Sequence, residues 1–255
     1  MVDTHTHLFD AAFDADRAAV IQRAIAAGVQ KMILPAIDAA SHAQLVQVYH
    51  QYSELLLPCM GLHPTSVQEN YRTELACAEA YLKDTSIPWV AIGEIGLDYY
   101  WTTQYKAEQK IVFETQLNWS VEKNLPVVIH CREAMGDILH LLSDLQLPLR
   151  GIFHAYSGSL ESYAIIKRLG DFKLGIGGVV TYKNSHLPEV LAQVPLEDIV
   201  LETDAPYLSP VPYRGKRNES AYLPVIVDKL AEIYQCGADK IRTQTNKTAT
   251  KMFGF

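Results

Sequence analysis

Apolar and polar positions along the chain alternate between two rhythms. Short runs rich in Val, Ile and Leu fall at 31–37 (KMILPAI), 54–64 (ELLLPCMGLHP), 89–98 (WVAIGEIGLD), 125–131 (LPVVIHC), 150–158 (RGIFHAYSG), 172–178 (FKLGIGG) and 198–206 (DIVLETDAP). The opening MVDTHTH makes an eighth. Runs of this kind suit strands buried on both faces. Between them the period lengthens to that of a helix. In 14–27, Val20, Ile21, Ala24 and Ile25 share one face and Gly28 supplies a stop. In 106–123, Phe113, Leu117 and Val121 recur every fourth position, and Asn124 ends the run. In 159–169, Ser159 can cap and Gly170 closes. Connections are expected to be short except after the fourth and eighth strands.

Eight βα units in 255 residues is the size of a (β/α)8 TIM barrel, an α/β fold. A doubly wound sheet is the rival, but no G-x-G-x-x-G turn follows the first strand, which weakens its dinucleotide-binding version. No linker, repeat or low-complexity segment interrupts the chain, so residues 1–255 read as a single domain. No apolar run approaches the roughly 20 residues that span a bilayer. No basic-then-apolar leader opens the chain, which predicts a cytoplasmic location and no membrane partner. Cys59, Cys77, Cys131 and Cys236 are scattered without a C-x-x-C pair, so reduced thiols are expected rather than a disulfide framework. Formal net charge is −7, which argues against broad charge-neutralising grip on duplex nucleic acid.

Polar residues at strand ends carry the chemical signal. His5 and His7 end the first strand, His63 follows the third, and Glu94 lies in the fourth. His130, His154 and Asp204 end the fifth, sixth and eighth. In a barrel these ends converge on the face that carries the active site. Residues i and i+2 of a strand point the same way, so His5 and His7 can grip one ion together. A mixed imidazole and carboxylate set suits one or two divalent ions, with Zn, Mn, Mg and Ni all compatible. Glu94 in an apolar strand is costly unless paired or metal-bound. Glu202 shares the inward side of Asp204 and is either an orienting partner for a ligand histidine or half of an interior ion pair. Cys131 is expected to turn away from the site. His42, His50, His140 and His186 are expected on the surface.

The stretches DTHTHL, GLHP, GEIGLDYY, IHCREA, FHAYSGS and LETDAPYLSP resemble the TatD family of metal-dependent deoxyribonucleases, from the first residues to the closing helices. The resemblance implies a TIM barrel with one or two divalent ions on its C-terminal face. It implies that His5, His7, Glu94 and Asp204 hold the first ion, and that Glu94, His130 and His154 hold the second. His63 would lie beside them as a phosphate-binding or proton-handling group. Many members carry Arg where this chain has Trp101, so that contact is absent or supplied by Arg132 or Arg214.

The expected activity is hydrolysis of DNA phosphodiesters, as a 3′-5′ exodeoxyribonuclease on short or single-stranded ends. Asp204, Glu94 and His63 are the catalytic candidates, with Asp204 accepting the proton of the attacking water. Arg132, Tyr207, Arg214 and Arg217 are candidate substrate contacts. The loop after the eighth strand clusters Arg214, Lys216 and Arg217 and either meets a strand backbone or is solvated. Tyr99, Tyr100 and Trp101 either stack on bases or pack beneath that loop. The alternative is hydrolysis of another ester or amide, such as D-aminoacyl-tRNA deacylation or cleavage of a small phosphoester. A monomer is expected, and KMFGF at the end reads as packing of a last helix.

Overall fold

A computed structural model describes all 255 residues. Its eight strands are β1 (Val2–Asp3), β2 (Lys31–Leu34), β3 (Leu56–Met60), β4 (Ala91–Asp98), β5 (Val127–Arg132), β6 (Arg150–Phe153), β7 (Asp171–Ile176) and β8 (Ile199–Leu201). They pair in parallel in sequence order. The nine helices are α1 (Arg17–Ala26), α2 (Ala39–Gln51), α3 (Tyr71–Leu82), α4 (Lys106–Lys123), α5 (Met135–Leu145), α6 (Leu160–Leu169), α7 (Leu187–Leu191), α8 (Leu223–Ile233) and α9 (Ala238–Phe253). The architecture is the (β/α)8 TIM barrel that the eight apolar runs predict.

The barrel closes without a regular ladder between its first and last strands. The Thr4 N–H donates to the Leu201 carbonyl (2.9 Å), and the Asp204 N–H to the His5 carbonyl (2.9 Å). The His7 N–H reaches the Ala205 carbonyl (2.8 Å), and Thr6 bridges Ala205. Asp3, fully buried, adds a side-chain seam. It accepts from the Thr203 N–H (3.0 Å) and hydroxyl (2.6 Å) and from the His5 N–H (3.3 Å). Burial pushes the Asp3 carboxyl up to about 7, against the pull of the nearby Ser220 hydroxyl and the hydrogen bonds from Thr203 and His5.

Strand alternation sorts the apolar residues into two layers. Val2, Ile33, Cys59, Ala91, Val128, Ile152 and Val200 fill the lower barrel interior, and Met252 and Phe253 of α9 plug it from below. The closing KMFGF thus packs as expected. Ile92, Ile129, Phe153 and Leu201 point outward to helix residues such as Phe113, Leu117, Ile138 and Leu230.

The strands are shorter than their apolar runs. Residues 4–7, 61–63, 154–158 and 202–206 continue past the sheet as loops over the C-terminal mouth, so most of the polar residues read as strand ends sit just beyond them. The loop after β8 is long as expected, but the connection after β4 (99–105) is short, and the longer ones follow β1, β3 and β7. Helix α4 has the predicted bounds, and Asn124 takes the left-handed conformation at its end (φ 52°). Ser159 caps α6 by accepting from the Ser162 N–H. Ile25 and Val121, placed on buried faces by periodicity, are exposed. His42 corrects the surface expectation: it is buried, with its ring against the Gly61 carbonyl and Cys77. His50, His140 and His186 are exposed.

Candidate metal centre

Glu94 reaches the barrel axis through a local irregularity. The β4–β5 register shifts between Gly93 and Ile95, and such a shift re-aims one side chain. Gly96 (φ 142°) lets the two strands approach, because any Cβ there would collide with the His130 carbonyl. Glu94, only 2% exposed, then projects among five histidine rings.

On one side, His5 Nε2 lies 3.1 Å from Glu94 Oε2, 3.7 Å from Asp204 Oδ1 and 3.2 Å from His7 Nε2. His7 Nε2 lies 3.6 Å from the same Glu94 oxygen and 3.4 Å from Asp204 Oδ1. Ligands about 2.1 Å from a tetrahedral ion sit roughly 3.4 Å apart. The measured separations bracket that value, and His5, His7 and Glu94 form one donor group compact enough for a divalent cation, while Asp204 groups with His5 and His154. Facing ring nitrogens at this distance, beside two carboxylates, are otherwise a poor hydrogen-bonding arrangement.

On the other side, Glu94 Oε1 lies 2.8 Å from His130 Nδ1, 3.2 Å from His63 Nε2 and 3.7 Å from His154 Nε2. His154 Nε2 is also 3.8 Å from Asp204 Oδ1, and its ring stacks on His5 with centroids 3.5 Å apart. Two further carboxylates back these rings. Asp98 Oδ2 takes the outer nitrogen of His130 at 2.8 Å, and Glu202 Oε1 lies 3.0 Å from His154 Nδ1. The second pair is close in charge but not aligned as a hydrogen bond. Glu202 thus sits at ion-pairing distance from His154, and its Oε1 accepts from the Ala155 N–H at 2.7 Å. Gly175 makes room for it, since a Cβ there would strike Glu202 Oε2. Asp98 escaped the sequence reading, although Glu94, Gly96 and Asp98 alternate onto one face of an otherwise apolar strand.

His63 joins the cluster from its position ahead of a short 3-10 turn at Pro64–Ser66. The Thr65 N–H donates to its Nδ1 (3.1 Å), which places the proton of a neutral ring on Nε2. Without an ion His63 faces Glu94 as a donor, and it is His63, not the expected His154, that forms a compact donor group with Glu94 and His130; His154 groups with His5 and Asp204.

The charges follow from this geometry. Burial pushes Glu94 up, but the charges of His63, His5 and His154 outweigh it and hold the carboxyl well below its ordinary range. Burial likewise pushes Asp204 up, but the neighbouring His154 and His7 rings outweigh it and hold its carboxyl below the ordinary value. His154 is raised to about 10: burial works against this, while Glu202, Glu94 and Asp204 prevail. His130 is raised against burial by hydrogen bonds to Asp98 and Glu94. His5 falls to about 4 through burial and the His154 charge, and burial also lowers His63. Without an ion, the carboxylates are ionised and the extra protons reside on His130 and His154, protons that a bound cation would displace.

The cluster floors an open cleft of about 680 Å³ that Trp101, Arg132, Val179, Tyr207 and Leu208 also line. Arg214 and Arg217 are not brought to it. Arg214 stacks on Tyr182 (3.9 Å), and Arg217 makes a two-pronged pair with Asp16 (2.7 Å each) while covering Phe13. Their loop folds back onto α1, where Arg23 also pairs with Glu219 (2.6 Å). Asp16 consequently makes no side-chain cap to α1. Cys131 is partly buried at the cleft edge, outside the donor groups.

Residues 2–254 match the family model described as TatD related DNase. The chain is 33% identical over 255 residues to the metal-dependent hydrolase YabD of Bacillus subtilis (strain 168), covering 99% of this chain and 98% of that one. It is 30% identical over 260 residues to the 3′-5′ ssDNA/RNA exonuclease TatD of Edwardsiella piscicida, covering 99% of each. Among solved structures, YjjV, a TatD homologue from Escherichia coli K12, superposes with a TM-score of 0.93 at 30% identity, covering 100% of this chain and 98% of that one. A barrel with its imidazole and carboxylate donors gathered at one mouth, and a match that spans nearly every residue, make this chain a member of the TatD family of metal-dependent hydrolases.

Proposed function

We propose that the protein hydrolyses phosphodiester bonds of single-stranded DNA, removing nucleotides from the 3′ end. One observation carries this reading: ionised carboxylates and inward ring nitrogens converge on the floor of a cleft whose mouth stays open and whose rim is aromatic and cationic. The 30% identity to an exonuclease named for ssDNA and RNA supports the substrate class. His5, His7, Glu94 and Asp204 would hold one divalent ion, and Glu94, His130 and His154 a second. When bound, divalent ions polarise phosphoryl oxygens and acidify water.

The chain's own groups then divide the remaining work. The Asp204 side chain is 14% exposed and Glu94 2%, so Asp204 is the carboxylate that reaches an incoming water and takes its proton. It does so from a left-handed backbone (φ 59°), a conformation costing a non-glycine residue on the order of 1 kcal/mol and common where a site fixes one side chain. His63, with its Nε2 proton aimed inward, donates to a phosphate oxygen or to the departing one. Arg132 and Tyr207 on the rim meet the rest of the strand.

The test is digestion of single-stranded oligonucleotides with the 3′ or the 5′ end blocked, across several divalent metals and with chelator controls. Loss of products only when the 3′ end is blocked is the expected result. The Asp204→Asn variant should remain folded and lose at least about a hundredfold in kcat. Cleavage indifferent to either block, or undiminished in that variant, would refute the assignment.

A further inference from the structure

Three tryptophans occupy this chain, and two are placed as tryptophans usually are: Trp89 and Trp119 are about 9% and 8% exposed. Trp101 is 70% exposed, three residues past the end of β4. It lines the catalytic cleft on one side and a smaller hollow of about 70 Å³ with Gln68, Tyr105 and Gln109 on the other. Its neighbour Tyr100 is 50% exposed and meets it edge-on, with centroids 5.0 Å apart. The Arg132 guanidinium lies over the Tyr100 ring at 3.6 Å and 5.5 Å from the Trp101 centroid. An indole left in water at the rim of a polar cleft has unspent contact area, and the cation beside it sits within reach of a phosphate.

The loop beneath is fastened. Gln109 of α4 receives the Asp98 N–H on its oxygen (2.9 Å) and donates its amide to the Asp98 carbonyl (3.0 Å). Tyr99 donates its N–H to the Arg132 carbonyl and its hydroxyl to Asp137. Asp98 does a second job. One carboxylate oxygen takes the Tyr100 N–H (3.0 Å) while the other holds His130 (2.8 Å). A single side chain thus fixes the aromatic loop in register with the donor cluster, so a ring stacked on Trp101 is placed relative to the reacting phosphate.

We propose that Trp101, braced by Tyr100 and flanked by Arg132, is the stacking platform for a nucleobase of the strand whose phosphate occupies the donor cluster. The proposal rests on the nuclease reading and adds to it the surface that grips the nucleotide itself. Stacking tolerates every base because each has a π-face, so the platform predicts grip without strong sequence preference.

The test uses the metal-loaded protein and a hydrolysis-resistant phosphorothioate oligothymidylate, with an abasic oligomer of equal length as control. Binding is read by quenching of tryptophan fluorescence in the wild type and by anisotropy of a labelled probe in all variants. Trp101→Ala should weaken oligothymidylate binding on the order of tenfold, Trp101→Phe much less. Both the wild type and Trp101→Ala should bind the abasic oligomer equally weakly. Because the side chain is exposed, thermal melting of the variants should match the wild type. Equal affinity of wild type and Trp101→Ala for oligothymidylate, or abasic binding as tight as base-bearing binding, overturns the platform. In that event, retained hydrolysis of unmodified oligonucleotide by the wild type leaves the nuclease reading standing, and absence of hydrolysis removes it as well.

Discussion

Removing the Glu202 carboxylate tests the centre without touching any candidate ligand. Glu202 is 1% exposed and lies 3.0 Å from the outer nitrogen of His154 while accepting the Ala155 N–H. A carboxylate this close to the ring favours positive charge on it and makes its inner nitrogen a better donor to a cation. Glu202→Gln keeps an oxygen for the Ala155 N–H and loses the charge. Charge-assisted contacts are worth roughly twice neutral ones, so this variant should lose about tenfold in metal affinity, or ~1.4 kcal/mol. Glu202→Ala also leaves the Ala155 amide without its acceptor and opens space beside Gly175. Its loss should approach a hundredfold, about 2.7 kcal/mol. The assay is competition with a fluorescent chelator at fixed pH, with circular dichroism to confirm folding of the metal-free variants. A folded Glu202→Ala protein that binds metal as tightly as the wild type would show that His154 is held by packing alone, or is not a ligand.

Two further outcomes concern the frame. Asp198 accepts from Lys167 and Lys173 (2.8 Å each) and from the Tyr163 hydroxyl (2.7 Å); burial raises its carboxyl, but these partners hold it below its ordinary value. A depressed carboxylate contributes stability that is present above the unfolded-state value and lost as pH falls through the folded one. Asp198→Asn should therefore cost about 2 kcal/mol in denaturant melts at pH 7, shrinking toward zero in acid below the ordinary aspartate range; a pH-independent difference would show that charge is not the cause. Arg217→Ala removes a half-exposed pair and should cost no more than about 1 kcal/mol while leaving KM for oligonucleotides unchanged; a raised KM at unchanged stability would place Arg217 on the substrate.

What could be read from the sequence was whatever local period or strand position encodes. Helix α4 came out with its bounds and its left-handed terminus because a long amphipathic run ended in Asn124. His5, His7, Glu94, His130, His154 and Asp204 were legible because parallel strands deliver their ends to one mouth. The rest depends on partners far apart in the chain. Arg217 carries no local sign that Asp16 will claim it, so it read as a substrate contact. His42 sits in a polar-looking stretch, yet its ring turns inward because Gly61 and Cys77 come from other units. Asp98 shares the face of Glu94 two residues past Gly96, but nothing local shows that its partner is the outer nitrogen of His130.

The polar seam between the first and last strands has a thermodynamic consequence. His5 and His7 belong to one edge of the closing joint and Asp204 to the other, almost the whole chain away in sequence. An ion shared by them would act as a clasp on a very large loop, binding only when the joint is shut. Occupancy should therefore raise the melting temperature with the logarithm of free ion concentration, with chelation loosening this joint before the rest of the barrel.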